Sequence, residues 1–199
     1  NAEQLDEIEQ YGRYLDTDGD GICYRTLPGT HPEKGAFFTR GTSRNVYAGY
    51  TEKSGHYVDN MQRLTKKFVS ASKMLPKPEI IQGNKQAKIG LVYFGTSAHA
   101  INEALDQLKE HGLTADTCRI KAFPFNQQLQ LFIEQHEHVY IIEQNRDAQM
   151  RTIISTELNI DPTRLLSITN FDGLPITSQF IVNKILAELA NELTNQKVG

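Results

Sequence analysis

From about residue 87 to the end of the chain, short apolar runs alternate with stretches whose apolar residues recur at helical spacing, and this alternation narrows the fold more than any other feature. Ile89-Gly90-Leu91-Val92-Tyr93-Phe94 is apolar throughout, as expected of a strand covered on both faces. Gly95-Thr96-Ser97 follows, where Thr96 or Ser97 can cap a helix that carries Ile101, Ala104, Leu105 and Leu108 on one side. Gly112 stands where a helix commonly ends. The pattern then predicts a strand near Thr117–Phe123, a helix with Leu129, Phe132 and Ile133, and a buried strand Val139-Tyr140-Ile141-Ile142. A helix with Met150, Ile153, Ile154 and Leu158, a strand at Leu165–Thr169 and a final helix striped by Ile181, Ile185, Leu189 and Leu193 complete it. Strands and helices in alternation, joined by short connections, imply right-handed crossovers and an α/β fold with a mostly parallel sheet and helices on both faces.

The preceding residues follow another logic. Residues 76–86, with Pro76 and Pro78 and then a polar stretch containing Gly83, are expected to be a linker. Before it, about Tyr57–Leu75, a helix places Val58, Met61, Leu64, Phe68 and Ala71 at helical spacing and must pack on something. The segment from Asp16 to His56 is rich in glycine and shows no sustained period. Irregular loops longer than about 12–15 residues are uncommon in compact domains. This one nevertheless carries Phe37, Phe38, Tyr47 and Tyr50, which disordered tails lack. An ordered aromatic loop with no core of its own is expected to lie on another domain or chain. The first residue is not Met, which suits a fragment or a processed product.

Composition removes several function classes. The formal net charge of −3 gives no basic stripe for nucleic acid, and no apolar run approaches the ~20 residues that cross a bilayer. The polar, acidic start is no secretory signal, and Cys23 and Cys118, the only cysteines, suit a reduced cytoplasmic protein. Two distant cysteines cannot by themselves hold an iron–sulfur cluster.

Local motifs are incomplete. Asp16-Thr17-Asp18-Gly19-Asp20-Gly21 matches the start of a calcium loop of the EF-hand type, with Asp at positions one, three and five. The twelfth position, where a bidentate Glu belongs, is Leu27, and Pro28-Gly29 breaks any exit helix. A turn held by Asp side chains is favoured, and no metal is expected. Phe94-Gly95-Thr96-Ser97 lies where helix amides could hold an anion, but it lacks the further glycines of a dinucleotide fingerprint. Glu143 to Gln149 follow a buried strand, where α/β domains present working residues; Asn145 or Asp147 could equally cap the next helix. His136 and His138 flank Glu137 as a solvated strand end. No complete catalytic set assembles.

Taken in order, several strings resemble the C-terminal part of the alpha subunit of 2-oxoacid:ferredoxin (acceptor) oxidoreductases. Asp20-Gly21-Ile22-Cys23-Tyr24-Arg25-Thr26-Leu27-Pro28-Gly29 is similar to the family's D-G-I-x-x-R-x-x-P-G stretch, and His56-Tyr57-Val58-Asp59-Asn60-Met61 with the basic helix after it also fits. Gly95-Thr96-Ser97 leading to Ala104-Leu105 resembles the start of the family's transketolase C-terminal-like domain, and Phe123-Pro124-Phe125 fits as well. Glu143-x-Asn145-x-x-x-Gln149 is similar to E-x-N-x-x-G-Q, with Ala148 where glycine is usual, and Gly173-Leu174-Pro175-Ile176-Thr177 resembles G-x-P-I-T.

The resemblance implies a coenzyme A-dependent oxidative decarboxylation of a 2-oxoacid that uses thiamine diphosphate with magnesium and passes electrons through an iron–sulfur cluster to ferredoxin. The family strings Y-P-I-T-P and Q-R-x-G-P-S-T-G, which belong to the thiamine and substrate pocket, do not occur here. The resemblance therefore implies that residues 1–75 are the trailing fragment of a pyrimidine-binding domain, and that 87–199 are the transketolase C-terminal-like domain. It further implies a thiamine-binding beta subunit or domain as partner, an oligomer, cofactors held outside this chain, and no catalytic residue within it. The expected interface residues are Arg25, Phe37, Phe38, Glu143, Asn145 and Gln149. An independent small-molecule or calcium-binding module using the Asp16–Asp20 loop is the competing expectation.

Overall fold

The computed structural model describes residues 1–36, 41, 43–83 and 87–198; Phe37 and Phe38 lie outside the described residues, as does the side chain of Leu193. The chain divides into two compact units, Asn1–Met74 and Leu75–Gly199.

The second unit is a five-stranded sheet in the order β1-β3-β2-β4-β5. The strands are β1 (Glu79–Ile81), β2 (Ile89–Tyr93), β3 (Ala115–Arg119), β4 (His138–Glu143) and β5 (Leu165–Thr169). The helices between and after them are α3 (Ala98–Glu110), α4 (Gln127–Gln135), α5 (Gln149–Leu158) and α6 (Ser178–Val198). Strands β2, β3, β4 and β5 pair in parallel, Leu91 opposite Thr117 on one side and Tyr140 on the other.

Because successive strand residues point to opposite faces, β2 and β4 each feed two cores. Ile89, Leu91 and Tyr93 join Tyr140 and Ile142 against Ile101, Ala104 and Leu108 of α3 and Ile181, Val182 and Ile185 of α6. Val92, Val139 and Ile141 join Leu129, Phe132 and Ile133 of α4 and Ile154 of α5. Gly90 lets α4 approach the sheet, since a Cβ there would lie 2.9 Å from the Phe132 ring and 3.0 Å from that of His136.

Four expectations change. The expected linker contributes Glu79–Ile81 as an antiparallel edge strand on β3, with Ile80 opposite Cys118. Three residues are too few for a period to show, although Ile80 and Ile81 are β-branched strand formers. Lys121 closes this edge with a 2.9 Å bond to Glu79, which holds the Glu79 carboxyl below its ordinary pKa. Strand β3 is Ala115–Arg119, so the chain leaves the sheet before Phe123. At the start of α3 neither Thr96 nor Ser97 caps with its side chain; Gly95–Ser97 instead form a 3₁₀ turn. Finally, His136 is not solvated but 3% exposed. Its Nδ1 bonds the Phe132 carbonyl at 2.6 Å, and its Nε2 lies 3.2 Å from Asp116 Oδ2. Asp116 Oδ1 in turn accepts from the Gly83 amide at 2.8 Å. Sequence neighbours alone make His136 look like a polar end; the partner that allows its burial lies 20 residues away.

In the first unit, α1 (Ala2–Asp6) is closed by a reciprocal cap between Asn1 and Gln4, and α2 (Ser54–Met74) is its long helix. Irregular chain lies along one side of α2. Arg63 Nη1 donates to the Gly21 carbonyl at 3.0 Å, Ser70 Oγ to that of Asp20 at 2.6 Å, and Asn60 Nδ2 to that of Arg44 at 2.6 Å. Gly21 has φ +83°, and a Cβ there would collide with the Lys67 backbone of α2, so only glycine fits. Among the described residues of this unit, Leu5 and Ala48 are the buried hydrophobic side chains, and α2 buries none.

Candidate functional site at the carboxyl ends of the strands

In the second unit, β2 is flanked by β3 and β4, so the chain reverses its direction of winding there. Open α/β sheets of this kind form a crevice beyond the carboxyl ends of the two diverging strands. Beyond β2 lies Gly95-Thr96-Ser97, beyond β4 the Glu143–Gln149 segment, and beyond β5 the turn from Asn170 to Ile176.

Gln144 ties these ends together. Its Nε2 donates to Thr96 Oγ1 at 2.8 Å and reaches Ser97 Oγ at 3.4 Å, while its Oε1 accepts from the Ile176 amide at 3.1 Å. Asn170 holds the β5 end, donating from its backbone to the Glu143 carbonyl at 3.0 Å and from Nδ2 to the Leu174 carbonyl at 3.0 Å. Around them opens a crevice of about 660 Å³ lined by Thr96, His99, Gln144, Asn170, Phe171 and Leu174 among others. Sequence reasoning included Gln144 only as part of the Glu143–Gln149 segment and missed Asn170; the signal they share is a polar side chain directly after a strand.

Glu143 is the terminal residue of β4 and is fully buried. Its Oε2 accepts from Asn145 Nδ2 at 2.6 Å and the Met150 amide at 2.8 Å, and its Oε1 from the Arg151 amide at 3.3 Å. The carboxylate thus supplies acceptors for the first turn of α5, where the helix dipole also favours negative charge. Asn145 Oδ1 adds bonds from the Asp147 and Gln149 amides at 3.1 and 3.3 Å. Ala148 completes the turn in the left-handed conformation, φ +50° and ψ +48°. That conformation explains why a glycine would suit the position.

Glu143, one of the residues expected at an interface, is fully buried with its carboxylate engaged by three donors of its own chain. Asn145 is half-buried in the same network, and Gln149 is exposed. Beside them, Phe94, Ile120, Lys121, Phe123, Phe125 and Met150 line an apolar hollow of about 310 Å³, with Phe123 and Phe125 edge to face at 5.2 Å.

In the first unit, Arg25 is exposed and lines a hollow of about 310 Å³ with Arg13, Tyr14 and Pro28. The carboxylates of Asp16, Asp18 and Asp20 come together, one oxygen of each within 4.8 Å of the others. Asp20 Oδ1 accepts from the Ile22 amide at 2.6 Å, Asp18 Oδ2 accepts from Tyr24 at 3.3 Å, and Asp16 Oδ1 is buried without a hydrogen bond. Calcium takes 6–8 oxygen ligands, so three such side chains are an incomplete shell. Leu27, at the place of the missing Glu, is exposed.

Neither cysteine suits a cluster. Cys118 is fully buried, and burial pushes its thiol up to about 12; Cys23 belongs to the other unit and is also raised, chiefly by burial. At the strand ends the side chains of Thr96, Ser97, Gln144 and Asn170 engage one another or nearby backbone, with His99 on the wall of the same crevice.

No family model matches the chain. It is 27% identical over 172 residues to the 2-oxoacid:ferredoxin oxidoreductase 2 alpha subunit of Aeropyrum pernix, covering 84% of this chain and 26% of that subunit. With the 2-oxoacid:ferredoxin oxidoreductase alpha subunit of Saccharolobus solfataricus it shares 24% identity over 140 residues, 68% of this chain and 22% of the relative. Among solved structures, 2-oxoglutarate:ferredoxin oxidoreductase from Magnetococcus marinus, with 2-oxoglutarate, coenzyme A and succinyl-CoA bound, superposes with a TM-score of 0.76 at 22% identity. That superposition covers 90% of this chain and 31% of the other and establishes a shared fold. The chain is therefore similar, over most of its own length and about a quarter of theirs, to the alpha subunits of 2-oxoacid:ferredoxin oxidoreductases.

Proposed function

We propose that the chain is the structural, C-terminal part of the alpha subunit of a 2-oxoacid:acceptor oxidoreductase. The whole enzyme would decarboxylate a 2-oxoacid oxidatively to an acyl-coenzyme A and pass the electrons to ferredoxin. The similarity to two alpha subunits supports the reaction class, and the observation that carries the structural role lies in the first unit. Residues of Asn1–Met74 leave Tyr24, Leu27, Tyr50, Val58, Phe68 and Met74 exposed while burying Leu5 and Ala48. A segment with so little interior needs another surface to order it.

Thiamine diphosphate, magnesium, the iron–sulfur cluster and coenzyme A would then be held by the rest of the assembly, a thiamine-binding beta subunit or domain among them. The donor sets here support that division. A cluster needs several thiolates, and the two cysteines occupy different units. The strand-end crevice is lined by no Lys or Arg, which a polyphosphate such as that of coenzyme A would call for. No described helix is long and apolar enough to cross a membrane, and both cysteines are free thiols, which supports a cytoplasmic place. Similarity along most of the chain favours this reading over an independent calcium module, which would need only the Asp16–Asp20 loop.

The test is reconstitution. The purified chain alone should reduce no viologen dye when given 2-oxoacid, thiamine diphosphate and coenzyme A, whereas its assembly with the thiamine-binding partner should do so in a coenzyme A-dependent way. An active assembly lacking this chain would overturn the proposal.

A further inference from the structure

The first unit holds arginines that no acid of its own neutralises. Among the described residues, Arg25 makes no hydrogen bond or ion pair. Arg44 donates to neutral oxygens, the Tyr14 hydroxyl at 2.8 Å and the Gly41 carbonyl at 2.6 Å, and Arg63 donates to the Gly21 carbonyl. Arg13 and Arg44 each place a guanidinium 5.2 Å from the centre of the Tyr14 ring, whose face attracts both cations. Arg13, Tyr14 and Arg25 share one hollow of about 310 Å³, and no described Asp or Glu lines it. Thr26 belongs to the same wall, and its hydroxyl oxygen is buried without a hydrogen bond.

We propose that this hollow is a binding site for the oxyanion end of a small molecule, a phosphate or a carboxylate. Two guanidiniums in a concavity whose wall bears no acid focus a positive field on it, which calls for an anion. A guanidinium also presents parallel N–H donors whose spacing matches two oxygens of one phosphate or carboxylate. Arg25, exposed and uncommitted, is the group that grips. Arg13 already rests on the Tyr14 ring, so it loses little freedom when a ligand arrives. An oxygen seated against the wall would give the Thr26 hydroxyl the partner it lacks. The volume falls within the roughly 300–1,000 Å³ of small-molecule sites, which favours a small ligand over a partner's surface. Arg25, expected at an interface, is thereby assigned to a ligand. The hollow lies wholly within Asn1–Met74 and makes no use of the strand-end crevice, so the site stands or falls apart from the enzyme reading.

The test is nuclear magnetic resonance on the full chain labelled with nitrogen-15, titrated separately with inorganic phosphate and with succinate while sodium chloride holds the ionic strength constant. The Arg25 Nε–H and Thr26 amide signals should move together along one saturable curve with at least one of the two probes. Saturation by phosphate alone identifies a phosphorylated ligand, by succinate alone a carboxylate, and by both a site that reads their shared charge. Arg25→Gln should weaken binding at least tenfold. Arg25→Lys, which keeps the charge and removes the fork, should weaken it less than Arg25→Gln does. Thr26→Val should also weaken it, whereas Lys73→Gln, at an exposed cation of α2, should leave it unchanged. Circular dichroism identical to that of the unaltered chain accompanies each comparison. The site is overturned if neither probe saturates, if sodium chloride alone reproduces the shifts, or if Arg25→Gln and Arg25→Lys both bind as tightly as the unaltered chain. None of these results depends on whether an assembly containing this chain reduces viologen, so the functional reading is tested separately.

Discussion

At the residue scale, Glu143 and Ala148 make opposite predictions from one turn. Glu143 is wholly buried and accepts from two backbone amides of α5 as well as from Asn145. Glu143→Ala strands those donors, and urea unfolding should show a loss of about 3 kcal/mol. Ala148 holds φ +50°, which costs an L-residue about 1–2 kcal/mol, so Ala148→Gly should raise stability by about 1 kcal/mol after glycine's extra chain entropy is counted. A fall in the urea midpoint of Ala148→Gly would contradict the assigned turn. Sequence reading located this turn but left its cap open between Asn145 and Asp147. The main acceptor proved to be the strand's own last residue, because the carboxylate points back beneath the helix, which residue order cannot show. Burial also sets a pH dependence. It pushes the Cys118 thiol up to about 12 and raises the Tyr140 phenol in the same direction. The fold therefore favours the neutral forms. Their contribution is fully present below the unfolded thiol's value of about 8.5–9 and is lost as pH climbs towards 12. Urea midpoints should fall across that alkaline window, and Cys118→Ala should flatten part of the fall.

At the scale of elements, β2 shows how a strand can be set by its neighbour. All five of its residues are buried, and the absent side chain of Gly90 is where α4 comes closest. Gly90→Ala would press a methyl on Phe132 and His136, and should cost about 1–3 kcal/mol in thermal or urea unfolding. Wild-type stability in that variant would mean that α4 packs elsewhere. The alternation that located β2, β4, β5 and the four helices was legible because each buries a continuous or periodic apolar face. Strand β1 was not, since a three-residue edge strand carries no period and owes its place to pairing with β3. His136 was misjudged for a similar reason: its burial depends on Asp116, on a different element.

At the scale of the whole molecule, the two units differ in what they can do unaided. Among the described residues, Asn1–Met74 has an exposed apolar helix face and buries only Leu5 and Ala48 of its hydrophobic side chains, whereas Leu75–Gly199 has a core on each side of its sheet. The sequence already indicated that the irregular segment lacks a core, and the order of motifs along the chain carried the resemblance to alpha subunits of 2-oxoacid:ferredoxin oxidoreductases. Where the strand-end side chains point was not legible, because it depends on bonds between residues as far apart as Thr96 and Gln144. The central claim is that this chain builds the enzyme without entering its reaction, and kcat in the assembled complex tests it most directly. With His99→Gln and Gln149→Ala introduced separately, the turnover number per assembled complex should stay within twofold of the unaltered enzyme. A fall of a hundredfold or more, with assembly intact, would contradict the claim.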